Sequence, residues 1–170
     1  MIAMKKILVA TDFGEASDSA LVYGREFAQR FGATLHVLHV AENVYISAFG
    51  AETYASFAPE LQRDLENAAH KRLAEAVMDS DGSGPPTVPV VMTSSSPAFA
   101  IIDYAREHRI DLIIMGTHGR GALGHLLMGS VAERVVRLGP CPVLTIRQPE
   151  RDFVRPDILV PMGERVGVHS

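Results

Sequence analysis

The sequence predicts an α/β fold: a doubly wound, open five-stranded parallel sheet of strand order 3-2-1-4-5 with helices on both faces. Three observations predict it. Short aliphatic and β-branched runs alternate with helix-length amphipathic segments, giving four strand–helix units and a closing strand. The strand runs are apolar at nearly every position, as strands covered on both faces must be. Pro89 falls inside the third strand, and proline is tolerated in a sheet mainly at an edge.

The elements follow in order. Lys5 to Thr11 (KKILVAT) is a buried strand, ended by the turn chemistry of Asp12-Phe13-Gly14. Ala16 to Phe31 is a helix whose inner face carries Ala20, Gly24, Phe27, Ala28 and Phe31, with Gly32 as its stop. Thr34 to Val40 is the second strand. Ala41 to Ala58 is a long connection that holds Tyr45, Phe49, Tyr54 and Phe57, four of the eleven aromatic residues. It is either a lid or contact surface, or an irregular segment packed on the domain's own surface. Pro59 to Met78 is the second helix, with Leu61, Leu65, Ala69, Leu73 and Ala76 expected inside, and Asp79 to Pro86 is an exposed linker. Thr87 to Met92 is the third strand. Pro97 to His108 is the third helix, with Ser96 as N-cap and Pro97 at the first helical position. Asp111 to Met115, Val131 to Leu138 and Pro142 to Arg147 complete the series as strand, helix and strand. Residues 1–147 therefore form one domain, and 148–170, with three prolines and no helical period, form a C-terminal extension.

Composition excludes several function classes. The 170 residues are 47% hydrophobic and 21% charged, with a formal charge of −4, so attraction to nucleic acid or anionic lipid is not expected. No apolar run reaches the ~20 residues that span a bilayer. Cys141 is the single cysteine, which excludes an internal disulfide and points to a cytoplasmic protein.

In the predicted topology the strand order reverses between strands one and four, and open α/β sheets bind ligands outside the carboxyl ends of the strands at such a point. Asp12 and the segment after Met115 flank it. That segment, MGTHGRGALGHLLMGSV, has glycines at 116, 119, 121, 124 and 129, which let the backbone bring N–H groups close to a ligand. It contains His118, Arg120 and His125 but no acid, and Gly129-Ser130 opens a helix whose first N–H groups suit phosphate oxygens. It is not a P-loop, because His125 stands where G-x-x-x-x-G-K-[ST] needs lysine. Gly119, Gly121 and Gly124 match G-x-G-x-x-G, yet they follow strand four, and Leu144 stands where a ribose-binding acid belongs.

A third pattern is more specific. Gly116, Gly119 and Gly129-Ser130 reproduce G-x2-G-x9-G-[ST] without a gap, and with ILVATD, HVLHV, DLIIMGTHGRG, SVAERV and CPVLTIR the chain resembles the universal stress protein family, in its ATP-binding branch, from Lys5 to Arg147. Ala10 stands where the family commonly has proline, and Gly14 where it often has serine. The resemblance implies that Ala10, Thr11 and Asp12 line the nucleoside pocket, with Asp12 near the ribose, and that Val40 meets adenine through its backbone. It further implies that Met115 and Gly116 border the ribose and that Gly119, Arg120, Gly129, Ser130 and Val131 hold the triphosphate. ATP with Mg2+ or Mn2+, and a homodimer through the last strand, residues 143–147, are implied with them.

The same residues have plainer uses. Ser130 and Glu133 fit a capping box, and Asp12 could cap the helix that follows it. His118 and His125 have no third metal ligand nearby, and His36, His39 and Cys141 are expected to be packing or polar strand positions. The functional expectation is a nucleotide-binding regulatory module of the stress response. The alternative is a slow ATPase or other ATP-cleaving enzyme, for which the sequence offers no lysine near the phosphates and no G-x-S-x-G elbow.

Overall fold

A computed structural model describes residues 3–47, 58–78, 83–117 and 128–147. Within them the sheet has five parallel strands, β1 (Lys6–Thr11), β2 (Thr34–Ala41), β3 (Thr87–Thr93), β4 (Leu112–Gly116) and β5 (Val143–Ile146), in the order β3-β2-β1-β4-β5. The helices are α1 (Glu15–Phe31), α2 (Val44–Ser47), α3 (Ala58–Val77), α4 (Pro97–Glu107) and α5 (Ser130–Leu138). Among the described residues no helix is long and apolar enough to cross a membrane. The single turn α2 falls within the long connection 41–58, of which residues 48–57 lie outside the described residues.

Because β1 is central and apolar throughout, its side chains feed two cores. Ile7 and Val9 pack with α1 and α3 on one face, and Leu8 and Ala10 with α4 and α5 on the other. Gly24 lets α1 approach β1 closely; a Cβ there would lie 2.3 Å from Val9 Cγ2. Gly32 ends α1 at φ 63°, the left-handed conformation in which glycine carries no Cβ penalty.

Two inner faces differ from expectation. On α3 the buried residues are Ala58, Gln62, Ala69 and Leu73, while Leu61 and Leu65 are 47% and 40% exposed. The stripe is turned because Gln62 goes inward to satisfy backbone groups past the end of β2, which hydrophobic periodicity does not register. Phe31 is exposed on the last turn of α1, its ring stacked on Phe27 at 6.2 Å.

Pro89 does lie on an edge strand. Leu35 N–H donates to Pro86 O and Ser94 N–H to Ala41 O, so the even-numbered residues of β3 face β2 and Pro89 faces outward. Its missing N–H is missing from the free side of the sheet.

At the opposite, amino end of the sheet, His36 is buried with its Nδ1 2.8 Å from the Tyr104 hydroxyl, and the Tyr104 and His108 rings stack at 3.9 Å. Burial, then the neighbouring His108 and Lys6 charges, push the His36 pKa below its ordinary 6.5. The folded state therefore binds fewer protons than the unfolded one just below pH 6.5, so the contribution is whole above that pH and is lost as the pH falls. Thermal melts should show stability declining from about pH 6.5 downward, with a shallower decline in His36→Gln; equal slopes would mean that His36 does not titrate on unfolding.

Candidate functional site

The carboxyl ends of β1, β2 and β4 meet where the strand order reverses. The ladder sets Ala10 opposite Met115 and Thr11 opposite His39, so Ala10, Thr11 and Asp12 lie between Val40 on one side and Met115-Gly116 on the other. The turn after β1 is held by its own side chains. Phe13 N–H donates to Thr11 Oγ1 (2.9 Å), Gly14 N–H to Asp12 Oδ1 (3.1 Å) and Ser17 Oγ (3.0 Å), and Ser17 Oγ–H to Gly14 O (2.8 Å). Gly14, not Asp12, is the N-cap of α1. Asp12 instead closes an Asx-type turn two residues ahead of that cap.

Phe13 takes φ 60°, a conformation that costs a bulky residue energy and persists only where its surroundings dictate it. They do so here. The His39 ring lies 4.3 Å from the Phe13 ring, the Arg72 guanidinium lies 4.4 Å over it, and His39 Nδ1 is 2.8 Å from Thr11 O. His39 thus helps to shape the β1 turn, a role its place on a strand did not announce.

The end of β2 is positioned by backbone alternation. Thr34 N–H donates to Lys5 O, which sets the even-numbered residues of β2 toward β1. By the same alternation the Val40 carbonyl comes level with Phe13, whose N–H has turned back to Thr11 Oγ1. The ladder therefore stops using the Val40 acceptor at the mouth of the site.

On the other side the glycine-rich segment is pinned at its two ends. Thr117 N–H donates to Ile146 O and Gly129 N–H to Thr117 O, both at 2.7 Å, which fixes the start of α5 beside the end of β4. Thr117, buried, was not singled out by the sequence. Gly129 is the N-cap of α5 and Ser130 its first helical residue. The capping box expected of Ser130 and Glu133 is not formed: the Ser130 position is already inside the helix, and Glu133 pairs with Arg137 at 3.6 Å. The N–H groups of Ser130, Val131 and Ala132 have no carbonyl one turn back within the helix. Gly119, Arg120, His118 and His125 lie outside the described residues.

The floor of the site is apolar. Ala10 and Met115 belong to the core on the α4–α5 side, and Val40, Met92, Met128 and Val131 pack against it. Met92 and Met128 are additions to the sequence reading; position at a strand end and just before a helix start was the only signal. The arrangement offers an apolar bed, one carboxylate at Asp12 and a helix start, which suits a flat apolar base joined to an anionic tail. Among the described residues no three His, Cys, Asp or Glu side chains converge to hold a metal ion, so they do not make a metal centre of their own. Burial, with Asp111 nearby, raises the Cys141 thiol pKa, which suits a packing residue better than a nucleophile.

Comparison with known proteins shows what the chain is similar to. The pattern of the universal stress protein family matches residues 4–147. A universal stress protein of Thermus aquaticus, encoded in the QAH/OAS sulfhydrylase 3' region, is 38% identical over 143 residues, covering 84% of this chain and 98% of the relative. Among solved structures, the universal stress protein UspA of Lactobacillus plantarum is 28% identical, with a TM-score of 0.72 over 86% of this chain and 100% of that one. A universal stress protein from Archaeoglobus fulgidus, in complex with dAMP, shares the fold at 20% identity and a TM-score of 0.52, covering 86% of this chain and 99% of that one.

Proposed function

Since the chain belongs to the universal stress protein family, we propose that it is an adenine-nucleotide-binding regulatory protein of the stress response that holds ATP at the carboxyl edge between β1 and β4. The observation that carries this reading is the 2.7 Å bond from Gly129 N–H to Thr117 O, which brings the start of α5 level with Asp12 and Gly116. Adenine would lie on the apolar bed with its amino group donating to the Val40 carbonyl, the ribose beside Asp12, Met115 and Gly116, and the phosphates toward Gly119, Arg120, Gly129, Ser130 and Val131. That the same fold holds dAMP in the Archaeoglobus protein supports an adenine nucleotide here. Asp12 alone does not make a metal site, so Mg2+ or Mn2+ would come with the phosphates of the nucleotide.

Binding rather than turnover is the proposed task. Lys5 and Lys6 sit at the amino end of the sheet, and Lys71 is an exposed residue near the end of α3, so no described lysine faces the phosphates. The test is calorimetric titration of Mg-ATP into protein stripped of ligand; absence of both heat and thermal shift overturns the proposal. Arg120→Ala should weaken ATP binding by roughly 1.5–3 kcal/mol, the worth of a charged hydrogen bond, and leave AMP nearly unchanged. Equal losses would place Arg120 away from the terminal phosphates.

The single cysteine supports a cytoplasmic setting. We further propose a homodimer through the β5 edge, segment 143–147, where Val143 and Thr145 face away from β4. The extension 148–170 begins beside that edge and is proposed to reach across it. Light scattering of a chain lacking residues 149–170 should show a weaker dimer; an unchanged dimer of unchanged thermal stability would make the extension passive.

A further inference from the structure

Gln62 is the one buried side-chain amide among the described residues of α3, 6% exposed, and every bond it makes leads to the strand ends of the site. Its Oε1 accepts the Val44 N–H (3.0 Å), and its Nε2 donates to Glu42 O (3.3 Å), to Glu66 Oε1 (3.0 Å) and, at 3.5 Å, to Thr93 Oγ1. The β2–β3 ladder ends one step earlier, at the Ser94 N–H to Ala41 O bond. Past the end of that ladder the side-chain amide supplies one acceptor and one donor to the main chain at Val44 and Glu42.

The orientation of the amide is fixed by its surroundings. Reversed, its oxygen would face Glu42 O and the Glu66 carboxylate, and its NH2 would face the Val44 N–H, so the bonds to Val44, Glu42 and Glu66 would become repulsive contacts. Glu66, one turn along α3, also accepts the Thr93 hydroxyl at 2.7 Å. The Thr93 hydroxyl, then the Gln62 amide and a smaller His70 charge, outweigh partial desolvation and hold the Glu66 carboxyl below its ordinary range. Glu66 therefore stays an acceptor at neutral pH. The ends of β2 and β3 are clasped to the same helix through two residues four apart.

We propose that Gln62 is a positioning residue for the base end of the nucleotide pocket, setting where the Val40 carbonyl stands through the Glu42–Val44 backbone it holds. This rests on the nucleotide site proposed above. The purine amino group is read by a main-chain acceptor two residues before Glu42, so the clasp determines both affinity for adenine and preference for adenine over guanine, whose corresponding position is itself an acceptor. Its consequences belong to the base and are the same however many phosphates follow.

The test uses the full chain, with ATP, AMP and GTP as probes and titration calorimetry as readout. In Gln62→Met, which keeps the length and loses the bonds, ATP and AMP affinities should fall by one common factor of about five to tenfold, and the ATP-to-GTP ratio should fall with them. Thr93→Val, at the exposed end of the same clasp, should shift the ratio in the same direction by a smaller factor and keeps the test decisive if Gln62→Met does not fold. Wild-type ATP affinity and an unchanged ATP-to-GTP ratio in the folded variants overturn the inference. So does a loss shared equally by ATP and GTP, which marks a merely structural role. Failure of the wild-type protein to bind ATP overturns the underlying nucleotide site instead, and is read in the first titration.

Discussion

Gly129→Val is expected to abolish ATP binding while the protein remains folded. Gly129 has φ −75° and ψ 157°, an extended conformation that valine adopts readily, so the substitution adds no backbone strain. As an N-cap, valine costs α5 no more than about 1 kcal/mol relative to glycine. What changes is access: a branched side chain at the helix start stands where phosphate oxygens must come to meet the Ser130 and Val131 N–H groups. Losing two charged hydrogen bonds at about 1.5 kcal/mol each is a reduction of at least about a hundredfold. Calorimetry would read the loss and circular dichroism the intact fold. Undiminished ATP affinity in the folded variant would mean that the phosphates lie elsewhere. Gly119→Val is expected to act alike.

The largest expected loss of stability comes from Gly24→Ala. The added methyl would lie 2.3 Å from Val9 Cγ2 and 3.2 Å from Leu35 Cδ1, both on side chains with no exposed surface. Val9 is branched at Cβ and sits in the central strand, so the methyl cannot be avoided by rotating a loose chain end. Overpacking of this kind costs about 1–3 kcal/mol or more and competes with the ~1 kcal/mol by which alanine favours a helix. The contact is short enough that the clash wins. A net loss of about 2 kcal/mol would lower the melting temperature by roughly 4–8 °C in a chain of this size. An unchanged melting temperature would show that the Val9 and Leu35 side chains make room for the methyl at no net cost.

Strand order, edge placement of Pro89 and the stop at Gly32 were legible because each rests on a local rule: apolar runs, a missing donor, a left-handed cap. Ala10, Thr11 and Val40 came to the candidate site through the family resemblance alone, whereas Asp12, the segment after Met115 and the Gly129-Ser130 helix start were legible from topology and glycine content. Gln62, His39 and Thr117 were not. Each acts by hydrogen bonding to backbone far away in sequence, to Val44, Thr11 and Gly129, and no periodicity encodes a partner of that kind. The capping box failed for a related reason: Gly129 N–H is already engaged with Thr117 O, and the helix starts one residue sooner than a serine cap would allow.

Pro89 has a consequence for assembly as well as for the sheet. A parallel sheet with two receptive margins could add neighbours at both and grow into a filament, because each addition exposes a fresh margin. Here the β3 margin has a ring carbon where the growing front would need a donor. If pairing takes place at the β5 edge, as proposed above, the β3 margin is the poorer of the two for a further neighbour. Two molecules joined at β5 would then use up each other's better margin, and the proposed association would tend to terminate itself at two.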